Sequence, residues 1–192
     1  VQEASLFIEW YYPRMYKHSI PDQAAQAFQN ILQEMCAVLD KASNALVLRD
    51  YHVDNLFWLP DDQDALCSVG VIDFQDALWG PRMYDLVSLL QDARRDLNRE
   101  TQNVLLEHYF KAFPELSQEH ERKTYAVLGV LRNLKIIGIF ARLYFQDGKK
   151  KYVQFIPRVW RWIYQDLQHP YLKPLGNWLE EHFPISKQEV PK

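Results

Sequence analysis

Only two cysteines, Cys36 and Cys67, occur in 192 residues. That scarcity excludes a disulfide scaffold and fits a reducing, cytoplasmic setting. Glycine numbers six, and none precedes Gly70, so the residues before it hold no Gly-rich loop able to cradle phosphates. A long uncharged apolar run is missing. The most apolar stretch, 125–145, carries Arg132, Asn133, Lys135 and Arg142, which makes it a poor membrane span, and no membrane partner is expected. A surplus of one charge is missing as well. The formal net charge is -3, without the basic excess that nucleic-acid binding draws on. Neither a secretory signal pattern nor an initiating Met is seen. The chain opens inside a helical pattern and reads as a fragment.

What is there suits a folded domain. Hydrophobic residues make up 48%, charged residues 24% and aromatics 14%, in a chain long enough to bury a sizeable core. Residues 4–17 read as a helix broken or kinked near Pro13. Pro21 and Asp22 open an amphipathic helix in which Phe28, Ile31, Leu32, Met35 and Leu39 recur at three- and four-residue spacing. Short apolar runs at 45–48, 56–59 and 68–72 read as strands, with a polar turn at 60–64. Gly80 and Pro81 mark a break before a helix over about 82–96. Helices are then expected over about 100–112, 118–146, 150–168 and 171–183. The expected fold is α+β but mainly α, with helices around one small β-hairpin.

The chemistry concentrates between residues 48 and 85. Asp50 and Asn55 are separated by four residues, and Asp73-Phe74 follows one hairpin later. This is the order and spacing of the kinase catalytic loop, H-R-D-x-x-x-x-N, and of the D-F-G motif after it. Phosphoryl transfer asks for positioning and charge neutralisation more than covalent help. A carboxylate must accept a hydrogen bond from the attacking hydroxyl, a role that falls to Asp50. An amide oxygen and a second carboxylate, Asn55 and Asp73, offer the hard oxygen ligands that magnesium prefers. The plain alternative is that these acidic residues are turn formers at hairpin ends. Two motifs in the right order, each against an apolar strand, favour the chemical reading.

At these residues the chain resembles the aminoglycoside phosphotransferase and choline kinase-like superfamily. His52, two residues after Asp50, gives the D-x-H-x-x-N form of its small-molecule branch. Within it, residues 48–56, 73–77, 80–81, 84–90 and 134–143 are similar to bacterial anomeric sugar kinases, which phosphorylate N-acetylmuramate and N-acetylglucosamine at C1 in cell-wall recycling. The resemblance implies a protein kinase-like C-terminal lobe over 1–192. Its parts would be leading helices (1–44), a catalytic and metal-binding hairpin (45–80) and a helical acceptor-side subdomain (81–192). It implies ATP and magnesium as cofactors and a small sugar as substrate. Asp50 would be the catalytic base, Asn55 and Asp73 the magnesium and nucleotide ligands, and Asp85 a buried carboxylate that braces the catalytic loop. Leu48 stands where the family usually has His, and Gln75 where D-F-G has Gly. No Gly-rich strand-turn-strand or phosphate-binding Lys precedes Asp50, so the nucleotide-binding N-lobe is expected to be absent from this chain and to be its partner in the same polypeptide. The alternatives are an aminoglycoside, choline or other small-alcohol kinase, and a non-catalytic pseudokinase or interaction module.

The charge is unevenly spread. Residues 1–116 hold 9 Lys and Arg against 18 Asp and Glu, whereas residues 117–192 hold 13 against 7. At about 100° per residue, Arg132, Lys135 and Arg142 share an arc of roughly 80° on one helix. They form either a solvent-exposed basic face or a site for a substrate carboxylate, with Arg132 as the candidate. Both disfavour a polycationic acceptor. Asp76 reads as a contact to substrate or a metal-bound water, or as a turn residue. His52 with Asp54 could begin a zinc site. Trp10, Tyr11 and Tyr12 are core or a sugar-stacking platform. Trp160 and Trp162 read as helix packing, and Lys149, Lys150 and Lys151 as a solvated turn or a contact to an anionic surface.

Overall fold

The computed structural model describes residues 1–59 and 68–187. The polar turn expected at 60–64, and Cys67, lie outside the described residues. The chain divides into two compact units, one of Val1–Lys41 with Arg122–Lys192 and one of Ala42–Glu121. Among the described residues, seven α-helices and two small antiparallel sheets bear out the expected mainly helical α+β class.

The first unit is helical. Residues Phe7–Tyr11 form a π-helical turn that runs into α1 (Tyr12–Tyr16), with Tyr12 N–H donating to Phe7 O, five residues back. Pro13 sits in the first turn of α1, where its missing N–H costs least, and the irregularity expected near it takes the form of this widened turn. In α2 (Asp22–Cys36), Ala24, Phe28, Leu32 and Met35 are buried at helical spacing. α6 (Ile156–Asp166) and α7 (Lys173–His182) bring Trp160, Trp162 and Trp178 inside. Trp160 stacks on Phe183 at 5.7 Å, and Phe7 meets Phe183 edge-on at 5.3 Å. Buried indoles need an acceptor, and Trp178 Nε1 donates to Ala24 O at 3.1 Å. Tyr11 and Tyr12 are buried in this aromatic core, so neither is a sugar-stacking surface. On the long helix α5 (Gln118–Phe145), Gly138 faces the backbone of Leu6. A Cβ there would lie 2.6 Å from Leu6 O, so only glycine lets the two segments approach this closely.

In the second unit the strands nest. β1 (Asn44–Val47) pairs with β4 (Leu78–Pro81), and β2 (Leu56–Trp58) pairs with β3 (Val69–Val71). The sequence suggested one hairpin and a break at Gly80-Pro81. Instead these two residues end a fourth strand, with Gly80 opposite Ala45 and Pro81 opposite Asn44. A proline at the end of an edge strand breaks no ladder bond. α3 (Met83–Leu90) stops short of the expected 96. Asp92 Oδ1 accepts from Arg94 N–H at 2.9 Å, a local side-chain bond that competes with helix continuation. α4 (Arg99–Ala112) is capped by Asn98, whose side chain accepts from Thr101 N–H. Arg82 lies over the Phe113 ring at 4.1 Å and joins the α3 and α4 ends of this unit. No helix among the described residues is long and apolar enough to cross a membrane.

Candidate active site

β1 delivers the chain to the site and α3 fixes how it leaves the strand. Leu48 N–H donates to Asp85 Oδ2 at 2.7 Å, and Arg49 N–H to Asp85 Oδ1 at 3.0 Å. Asp85 lies in the first turn of α3, where the helix dipole favours a carboxylate. One turn further on, Ser88 Oγ donates to Arg49 O at 3.3 Å. Both backbone groups of Arg49 are thus held, and its φ is 70°. That left-handed conformation costs a non-glycine residue on the order of 1 kcal/mol and persists only where surroundings enforce it.

The held turn presents Asp50 to solvent. Its backbone C=O accepts from His52 N–H at 3.1 Å, and Asn55 N–H returns to His52 O at 2.9 Å, closing a helical turn over Val53–Asn55. Asn55 Nδ2 donates to Asp50 O at 2.9 Å and reaches Asp73 Oδ2 at 3.4 Å. Ile72 N–H donates to Asn55 O at 3.1 Å, tying the start of β2 to the end of β3. Asp73 follows with φ of 62°, and Gln75 Nε2 donates to Asp73 Oδ1 at 2.7 Å. Asp50, Asn55 and Asp73 are therefore one connected group in the second unit. The Asn55 amide nitrogen donates to both protein acceptors, and an amide oxygen is the atom of that side chain able to accept or to ligate.

This donor set suits magnesium. It offers an amide oxygen and a carboxylate, both hard ligands, and magnesium takes few protein ligands when phosphates and water supply the rest. A zinc site at His52 and Asp54 is not supported. Asp54 is engaged by Arg95 at 3.3 Å and Arg94 at 3.7 Å, and no three His, Cys, Asp or Glu residues among those described are placed to hold a metal. His52 is buried. Burial first, and then the Arg94 charge, lower its pKa, with Asp92, Asp54 and Asp50 opposing.

Asp76 is exposed in the turn closed by Ala77 N–H on Phe74 O. Arg132 is on α5 in the first unit and half-buried. Of the two readings its sequence allows, an exposed basic face or a carboxylate site, the fully exposed face does not fit the burial of its stripe. Lys135 pairs with Glu3 at 2.7 Å with a side chain only 19% exposed, and Arg142 is half-buried. Two contributing residues went unread in the sequence. Ser88 is three residues after Asp85, hence on the same helix face, a usable signal. Gln75 registered only as a missing glycine. A cavity of about 700 Å³ in the first unit, lined by Tyr164, His169, Lys173 and Asn177 among others, contains none of these residues.

The model of the phosphotransferase enzyme family matches residues 2–122. Three relatives are each named N-acetylmuramate/N-acetylglucosamine kinase. The one from Caulobacter vibrioides is 37% identical over 180 residues, which is 94% of this chain and 49% of that protein. The one from Neisseria meningitidis serogroup B is 36% identical over 165 residues, 82% of this chain and 47% of that protein. The one from Pseudomonas putida is 32% identical over 187 residues, 94% of this chain and 53% of that protein. The chain spans about half the length of the curated relatives it matches.

Proposed function

Because the chain belongs to the phosphotransferase enzyme family, we propose that it is the catalytic lobe of an ATP-dependent kinase acting on a sugar hydroxyl. The acceptor is the anomeric hydroxyl of N-acetylmuramate or N-acetylglucosamine, in the cytoplasm, as part of cell-wall recycling. The observation that carries the reading is the Asn55 amide, which joins the Asp50 loop to the Asp73 carboxylate. The relatives' names supply the substrate class.

In this reading Asp50 accepts the proton of the attacking hydroxyl as its oxygen bonds to the γ-phosphorus and the bond to the β-phosphate oxygen breaks, releasing ADP. Asn55 Oδ1 and Asp73 would hold magnesium, which would supply positive charge against the phosphates. Asp85 keeps Asp50 presented by gripping the two preceding amides. Asp76 contacts the sugar or a metal-bound water. The nucleotide-binding lobe lies in another part of the same polypeptide. Two features support that partner: the relatives are about twice as long, and Phe57, Trp58, Ile72 and Phe74, on and beside β2 and β3, are all about half exposed or more. Such apolar surface commonly marks an interface.

The test is acceptor profiling of the complete protein with ATP and magnesium, read by phosphorus NMR. Phosphate at C1 of both N-acetylated sugars and none on kanamycin or choline is expected. Efficient kanamycin or choline turnover would reject the substrate assignment, and absence of any turnover would favour the non-catalytic module. Arg132→Ala should raise KM for the muramate, which carries a carboxylate, more than for the glucosamine. Equal effects would remove Arg132 from the acceptor site.

A further inference from the structure

We propose that Gln75 is a positioning residue that turns the Asp73 carboxylate toward a divalent cation. The inference rests on the phosphotransferase reading of Asp73. An ionised carboxylate only accepts hydrogen bonds, so the Gln75 side chain must meet it nitrogen-first, as the 2.7 Å contact to Oδ1 shows. Asp73 Oδ2 has a longer 3.4 Å contact to Asn55 Nδ2, and that amide is shared with Asp50 O at 2.9 Å. Gln75 is therefore the firmer of the two holders. Each Asp73 oxygen then carries one protein donor and keeps lone pairs for a ligand.

The need for such a holder follows from exposure. Asp73 and Gln75 are both exposed, so no packing fixes the carboxylate rotamer. The backbone sets only the Cα–Cβ direction through its left-handed φ. A donor aimed at one oxygen selects a single orientation before the cation arrives, as hydrogen-bond partners of metal ligands do elsewhere. The bond spans two residues within one turn, so its loss opens no core and exposes no buried group. A defect on removing it would report on the carboxylate and not on folding.

The test is Mn²⁺ binding to the complete protein with a non-hydrolysable ATP analogue, followed by electron paramagnetic resonance, beside steady-state kinetics. Gln75→Ala is expected to weaken Mn²⁺ binding by about 10-fold with sugar KM unchanged. Gln75→Glu keeps the length, loses the N–H and adds a charge. It should bind Mn²⁺ more tightly than Gln75→Ala yet turn over more slowly than the parent. Mn²⁺ affinity within about twofold of the parent in Gln75→Ala, together with loss of binding in Asp73→Ala, would overturn the inference and leave the proposed function standing. Unchanged binding in both variants would overturn the inference and the metal role of Asp73 together.

Discussion

In the complete protein, Asp50→Asn is expected to lower kcat by about 10²- to 10⁴-fold, the range for removing a positioned general base. ATP affinity should change little. The Asp50 side chain is exposed, and it is the backbone C=O of Asp50 that holds Asn55. Asparagine keeps that carbonyl and nearly the same shape, so the metal-facing group should remain assembled. Losing a transition-state interaction while keeping ground-state binding lowers kcat and kcat/KM together. Single-turnover phosphoryl transfer and a nucleotide titration on the same preparation separate the two effects. Full activity in Asp50→Asn would remove Asp50 from the chemistry.

Asp85→Ala should be the most damaging change outside the reacting group. Two backbone N–H donors, of Leu48 and Arg49, lose their acceptor at once. A donor left unsatisfied away from water costs about 1–3 kcal/mol. A total near 2–4 kcal/mol is expected from denaturant unfolding because the site is half-buried and one amide can find water. Turnover should fall as well, since the left-handed Arg49 would relax and carry Asp50 with it. Ser88→Ala, which removes one 3.3 Å bond to Arg49 O, should cost about 1 kcal/mol. Equal stability losses in the two variants would mean that the carboxylate is not the principal brace.

The parts of the site legible in the sequence are those with fixed spacing. Asp50, Asn55 and Asp73 announce themselves because their order and spacing match the kinase catalytic-loop and D-F-G motifs, and Asn55 bridges the other two. The helical elements were legible where one face is apolar, as in α2. What escaped is non-local or local in ways that composition hides. β4 was missed because its pairing with β1 is set by a partner more than thirty residues away, while Gly80 and Pro81 signal a break on their own. The end of α3 was missed because residues 91–96 hold no glycine or proline to mark it, and the Asp92 side-chain bond that competes with helix continuation there is not visible in the sequence pattern. That the Arg132 stripe is half-buried was not legible, because periodicity cannot see partners such as Glu3, 132 residues away from Lys135 in sequence, which pairs with it.

Arg49 and Asp73 bracket the site, each an L-residue held at φ near 65°. Glycine adopts that conformation freely, and relieving such strain commonly stabilises a fold by somewhat less than its cost, set against a looser unfolded chain. Glycine at position 49 would relieve that strain and keep the backbone bonds to Asp85 and Ser88, but lose whatever the Arg49 side chain holds. The same glycine would free the hinge that presents Asp50. Thermal selection and catalytic selection should pull this one position in opposite directions, a trade-off of the kind expected where strain is stored beside reacting groups.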